Sequence, residues 1–275
     1  MKSTINDLAI PTTANFVQQG NGTPVVLVHG VAASLRDWDD LTPALVKNGY
    51  ASYALDLLGH GDSPKPASRA YHIDWVFEHF LHWITSLRLT EPAIIIGHSL
   101  GGYIALEYAR RFPALTRGLI LVNPLYSLSQ LPFLLRRTYR HPSLSSMISL
   151  QLPEWIFRLV IDVTSIGMGH SSGAIHALPE HVRAQTALDY TRTASGVYNI
   201  PNTLGDLTGH LSSMSLPALV VWGSRDQTLA PSSFPKLVEM MPRAEGKTIH
   251  AGHVPHQSNA KEFNEMTLDF LSRLQ

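Results

Sequence analysis

The chain has 275 residues, 44% of them hydrophobic, no cysteine, and 21 Lys and Arg against 21 Asp and Glu. That length suits one α/β domain with an insertion. The charge balance offers no basic face for nucleic acid or an anionic membrane, and the lack of cysteine excludes disulfides and thiolate chemistry.

In chain order, MKSTINDLAIPTTANF lacks the apolar segment of a signal peptide. No apolar run approaches the ~20 residues of a membrane helix, so a cytoplasmic protein with no membrane partner is expected. The first twenty residues can supply one or two antiparallel strands. PVVLVHG (Pro24 to Gly30) and YASYALDL (Tyr50 to Leu57) then read as strands, as do AIIIGHS (Ala93 to Ser99) and RGLILVNP (Arg117 to Pro124). ALVVWGSRD (Ala218 to Asp226) and GKTIHAGH (Gly246 to His253) complete the set. Most are nearly continuous apolar runs, as in strands buried on both faces. Helical patterns lie between them: LRDWDDLTPALVKNG, YHIDWVFEHFLHWITSL, GGYIALEYARRFP and SSFPKLVEMMP. This alternation predicts a mostly parallel sheet flanked by helices. From Pro124 to about Ser215 there is no strong buried strand, only helical patterns punctuated by proline. Residues 124–215 are therefore expected to form a helical cap on a core of residues 1–123 and 216–275.

Chemistry in such a sheet gathers at the carboxyl ends of the strands. Gly97, Ser99 and Gly101 make G-x-S-x-G between an Ile-rich strand and a helix, the setting of a nucleophile elbow. A serine hydroxyl needs a base, and the base needs an orienting acid. Asp226 and His253 follow Ser99 in the order acid, then histidine, each in a loop after a predicted strand. His253 is the expected base and Asp226 its partner. His256, three residues on, is the alternative base, read instead as the start of the last helix. Asp226 could also be an ordinary turn residue, and Asn123, being neutral, leaves the other acid position empty. The backbone N–H groups of Leu100 and Val31 are the expected oxyanion donors. His29 and His98 flank the site as candidate pocket residues. The stripe of Trp155, Ile156, Phe157, Leu159 and Val160 reads as cap core first and acyl pocket second. The cap histidines His141, His170, His176, His181 and His210 lack metal-ligand spacing, so neither metal nor cofactor is expected.

Taken together, LVHGVAAS, ALDLLGHGDSPKP, IIIGHSLGGYIALEYARRFP, LILVNP, VVWGSRDQTLAP and HAGHVPHQSNAKEFNEMTLDFL resemble the α/β-hydrolase fold family of serine hydrolases, in the family's order. The resemblance runs from about Gly20 to the C-terminus apart from the cap. It implies an α/β-hydrolase fold with the cap inserted after the sixth strand, a structural role for the loop Asp56 to Ser63, and an esterase-like activity on small or medium-sized esters. A serine at the elbow is unlike the carboxylate nucleophile of epoxide hydrolases and haloalkane dehalogenases. HGVAAS lacks the H-G-G-G of one lipase type and the Gly-Pro-Gly of many carbon–carbon bond hydrolases. Thioester, lactone or carbon–carbon bond hydrolysis and perhydrolysis use the same parts. A ligand receptor of this fold is the alternative from another class.

Overall fold

A computed structural model describes residues 10–68, 70–133 and 178–274, together with Arg136, Trp155, Arg158 and Leu159. Its centre is a seven-stranded sheet: β1 (Phe16–Gln19), β2 (Thr23–Val28), β3 (Tyr50–Leu55), β4 (Ala93–His98), β5 (Thr116–Val122), β6 (Ala218–Gly223) and β7 (Ala244–Ile249). The spatial order is β1-β3-β2-β4-β5-β6-β7. β1 runs antiparallel to β3, and every other pair is parallel. One leading strand is present among the described residues. The 124–215 segment therefore follows the fifth of the described strands, where the resemblance implied a sixth.

The continuous apolar runs are explained by the two faces of the sheet. Val25, Leu27, Ile94, Ile96, Ile120 and Val122 pack on one side with Trp38, Leu45, Phe263 and Phe270. Val26, Val28, Ile95, Leu119 and Leu121 pack on the other with Phe80, Trp83, Ile104 and Phe234. Helices α1 (Thr42–Lys47) and α7 (Ala260–Ser272) thus cover the first face. Helices α2 (Ile73–Ser86), α3 (Leu100–Arg111) and α5 (Ser233–Met240) cover the second. The edge strands break the apolar pattern. β1 is exposed throughout, and β7 carries half-buried Glu245 and exposed Lys247, charges that guard an edge against unwanted pairing.

Two helical patterns are interrupted. Leu35–Trp38 forms a 3₁₀ turn, and α1 starts only at Thr42, with Pro43 in its first turn, where a missing N–H costs nothing. His256 lies in the short helix α6 (Pro255–Ser258), ahead of α7. Within 124–215, the described part contains α4 (Glu180–Arg192) and two 3₁₀ stretches, Ser195–Thr203 and Thr208–Ser213. Val197, Ile200, Leu207, Leu211 and Met214 belong to the same apolar cluster as the sheet. Backbone bonds tie this part to the core, Ala194 N–H to Gly59 O (2.8 Å) and Tyr71 N–H to Gly196 O (2.9 Å), and Leu207 N–H to Tyr126 O (3.0 Å) joins it to the start of the same segment. No helix among the described residues is long and apolar enough to cross a membrane.

The loop Asp56 to Ser63 is organised around one buried carboxylate. Asp56 Oδ1 accepts from Leu35 N–H at 2.8 Å, and Oδ2 accepts from Asp62 N–H at 2.8 Å and Asn15 Nδ2 at 2.7 Å. At Gly61, with φ of +48°, an added Cβ would sit 2.2 Å from Asp56 Cγ, so a side chain there would displace the carboxylate. Asp56→Ala strands two backbone donors and is expected to lower stability by about 2–4 kcal/mol, read as an earlier midpoint in urea denaturation with little change in slope.

Candidate active site

The elbow is set by space. A Cβ at Gly97 would lie 2.3 Å from Gly101 O, and one at Gly101 only 2.0 Å from Val28 O. Bare glycines therefore let the start of α3 press against the ends of β2 and β4. Ser99, between them, takes φ +50° and ψ −109°, a conformation rarely held by a side-chain-bearing residue. Its N–H donates to Val122 O at 3.0 Å, and its carbonyl accepts from Gly102 N–H and Leu125 N–H, each at 3.0 Å. The Ser99 hydroxyl has no hydrogen-bond partner among the described residues.

Asp226 and His253 come from the loops after β6 and β7. Those loops touch: a Cβ on Gly223 would meet Gly252 O at 1.9 Å, and Arg225 N–H donates to Ala251 O at 2.9 Å. His253 Nδ1 lies 2.8 Å from Asp226 Oδ2. The buried carboxylate also accepts from Asn123 Nδ2 (2.6 Å), Thr228 N–H (2.7 Å) and Leu229 N–H (3.0 Å). Burial pushes the Asp226 carboxyl up, but the His253 imidazole and these donors prevail and hold it below its usual value. Its acceptor role directs the His253 Nδ1 proton toward Asp226 and leaves Nε2 available as a base.

Ser99, His253 and Val31 line one cavity of about 360 Å³. Leu100 opens α3, directly after Ser99, where helix N–H groups are unpaired by the helix itself. Close approach is again glycine-dependent: a Cβ on Gly30 would lie 2.9 Å from His98 Nδ1 and 3.3 Å from Ser99 Cβ.

The pocket candidates separate. His98 lines the cavity and its Nε2 lies 3.0 Å from the carbonyl of His253. A carbonyl only accepts, so Nε2 carries a proton and His98 clamps the loop of His253. His29 is fully buried and is not among the lining residues; Leu57 N–H donates to its Nε2 at 2.9 Å, and its Nδ1 lies 2.7 Å from Gly30 O. It holds two strand-end loops together rather than meeting a ligand. Trp155 is 68% exposed and also absent from the lining. Leu131 lines the cavity, whereas Phe133 and Leu159 are exposed. Leu134, Leu135, Ile156, Phe157, Val160, His141, His170 and His176 lie outside the described residues. His181 and His210 are exposed.

Two features have no local sequence signal. The first is a buried group behind His253. Asp37 Oδ2 lies 3.5 Å from His98 Nδ1 and 3.9 Å from His256 Nε2. These three residues are the metal-compatible group found among the described residues, with ligand atoms all within 4.8 Å of one another. They come from a 3₁₀ turn, the end of β4 and the short helix α6, so no sequence spacing announces them. Burial, with His256 next to it, pushes His98 down to about 4 despite Asp37. Burial acts to raise Asp37, but the two imidazoles hold it far below the usual carboxylate range. His256 lies 4.8 Å from Trp38 and 6.0 Å from Phe263, ring centre to ring centre, in the apolar layer rather than at the cavity.

The second is Asp189 on α4, a buried carboxyl that lines the cavity. It accepts from two neutral groups, Ser34 Oγ at 2.9 Å and Gln185 Nε2 at 2.8 Å. Burial, then the charge of Asp37, pushes it up to about 7. The folded protein thus binds a proton here that the unfolded chain releases near its ordinary value of ~3.9. Stability attributable to Asp189 accordingly falls as pH rises between those two values, and is constant above them. Asp189→Asn removes this penalty. The variant is expected to be more stable than wild type by roughly 1–3 kcal/mol at pH 8, with the gap closing by pH 4, in paired denaturation curves.

Residues 23–260 match the model of the family described as alpha/beta hydrolase fold. The chain is 26% identical over 256 residues to a pimeloyl-[acyl-carrier protein] methyl ester esterase of Aeromonas hydrophila, covering 92% of this chain and 96% of that one. It is 24% identical over 270 residues to a 2-hydroxy-6-oxo-6-(2'-aminophenyl)hexa-2,4-dienoic acid hydrolase of Metapseudomonas resinovorans, covering 94% and 87%. A thermophilic esterase from Thermogutta terrifontis superposes with a TM-score of 0.78 at 21% identity, covering 95% of this chain and 93% of that one; at that identity the likeness is one of fold. With a family match across most of its length, the chain belongs to the alpha/beta hydrolase fold family.

Proposed function

We propose that this hydrolase is a serine-dependent carboxylic ester hydrolase acting on small or medium-sized esters. The observation that carries the reading is the connected chain Asn123, Asp226, His253, whose histidine shares a cavity with Ser99. Ser99 Oγ attacks the ester carbonyl as His253 Nε2 takes its proton. Asp226 holds the imidazole and stabilises its charged form. The N–H groups of Leu100 and Val31 stabilise the oxyanion. His253 returns the proton to the departing alcohol, leaving an acyl-enzyme that water, activated by the same histidine, hydrolyses. No step calls for a cofactor.

The cavity volume supports the size of the substrate, and the residues of α4 and the following 3₁₀ stretch that line it support a lid formed by 124–215. Such a roof excludes water from the developing charge. Its inner face would set acyl or alcohol preference, while the core supplies the chemistry.

Ser99→Ala is expected to stay folded, to lose ester turnover by several orders of magnitude and to lose labelling by a fluorophosphonate. His253→Ala should match it, because members of one catalytic unit are not additive, and Asp226→Asn should lose ~10³–10⁴-fold through the wrong imidazole tautomer. Undiminished turnover by folded Ser99→Ala, or an active His253→Ala beside an inactive His256→Ala, would refute the assignment.

A chain-length series of p-nitrophenyl esters tests the cavity. kcat/KM is expected to peak at short or medium acyl chains and fall for long ones. Strong activation by an oil–water interface would contradict the size reading.

A further inference from the structure

The cavity wall is unevenly charged. Among its described lining residues are two carboxyls, Asp37 and Asp189, and no Lys or Arg. Both carboxyls are more than nine-tenths buried. Among the described residues, Asp189 has only the neutral donors Ser34 and Gln185, one on each oxygen. A carboxylate oxygen has two lone pairs, so each keeps acceptor capacity. Asp37 takes Gln257 Nε2 on Oδ1 at 3.0 Å, while its Oδ2 is sealed from solvent and faces the His98 and His256 rings, so Asp37 adds negative charge behind this wall but no free oxygen to it. Tyr190 and Tyr198, stacked at 6.3 Å and 13°, line the same cavity. Tyrosine faces attract cations.

We propose that Asp189, with the rings of Tyr190 and Tyr198 and the charge of Asp37 behind them, forms a subsite for an ammonium group, so that the preferred ester carries a protonated amine. This rests on the ester-hydrolase reading for turnover but not for binding. An ammonium group supplies the charge-assisted donors that this wall lacks. A substrate carboxylate would instead be desolvated beside two acidic groups with no compensating cation. Asp189 acts as a specificity-determining residue here, separate from bond cleavage. The bond to Ser34 also links the subsite to the loop that starts at Val31.

The raised Asp189 supports the assignment. Its burial and the charges of Asp37 and Asp56 act against ionisation, with Gln185 and Ser34 opposing them. A ligand cation would relieve that repulsion. Preference for the ammonium substrate is then expected to climb with pH through about 7. Taken as a ratio between two substrates, it cancels whatever pH dependence their shared chemical steps carry.

The experiment compares p-nitrophenyl ω-(dimethylammonio)alkanoates, branched alkanoates of the same shape, and ω-carboxyalkanoates. A second arm uses acetate esters of dimethylamino alcohols and their hydrocarbon isosteres. In at least one arm, kcat/KM is expected to favour the ammonium compound by about 10- to 100-fold, with the carboxylate slowest. Asp189→Asn should reduce that ratio to near one. Wild-type ratios at or below one in both arms, or an unchanged ratio in Asp189→Asn, would overturn the proposal. Calorimetry on Ser99→Ala, with the matching N-aryl amides as non-hydrolysed probes, gives a readout free of turnover. Tighter binding of the ammonium amide, abolished by Asp189→Asn in the same background, supports the subsite even if no ester is turned over and no fluorophosphonate labels Ser99, an outcome that would sink only the ester reading. Equal binding of ammonium and hydrocarbon amides would sink the subsite.

Discussion

The rest of the site depends on one steric constraint: α3 must begin in contact with the ends of β2 and β4. Three adjacent strands in the sheet, β2, β4 and β5, are each followed closely by a left-handed residue that is not glycine, namely Ala32 (φ +57°), Ser99 (φ +50°) and Asn123 (φ +41°). Such conformations cost about 1–3 kcal/mol each and persist only where surroundings over-determine them. Here the surroundings are the glycine contacts and the Ser99 backbone bonds to the loop after β5. The same reversal that lifts Ser99 above the sheet brings Asn123 within reach of Asp226. Ser99 and Asp226 are thereby held by one set of strand ends.

Much of this was legible before any coordinates. A parallel sheet buried on both faces leaves apolar runs, and Ile94, Ile95 and Ile96 show why: consecutive residues enter opposite apolar layers. The elbow was legible because its glycines are imposed by contacts within a few residues. Asp226 and His253 could be ordered by the loops that carry them. Pro43 starts a new helix inside a flanking pattern that is continuously helical, so the break is masked in the sequence. The count of leading strands rested on a short polar stretch with no periodicity.

Other features were illegible for a physical reason. Asp37 sits in a run of charges, RDWDD, that reads as surface; its buried partners, His98 at the end of β4 and His256 in α6, are distant in sequence. Asp189 lies on a helix of mixed polarity and is buried by a partner, Ser34, 155 positions away. Trp155 and His29 depart from expectation in opposite directions: a large aromatic invites a pocket role and is exposed, while a histidine in the loop beside Ser99 is locked between backbone groups. Residue type predicts chemistry well only where local backbone fixes its surroundings.

Three buried aspartates then show how environment assigns different work to one side chain. Asp226 has four donors, one of them His253, and stays ionised against burial. Asp37 stays ionised because two imidazoles face it. Asp189, with two neutral donors and a like charge nearby, is pushed the other way. An asparagine could accept the Ser34 bond without that electrostatic penalty, so stability alone does not call for an acid at this position. A destabilising acid on a cavity wall fits a group whose missing counter-charge arrives with a ligand, the usual direction of the trade between stability and function.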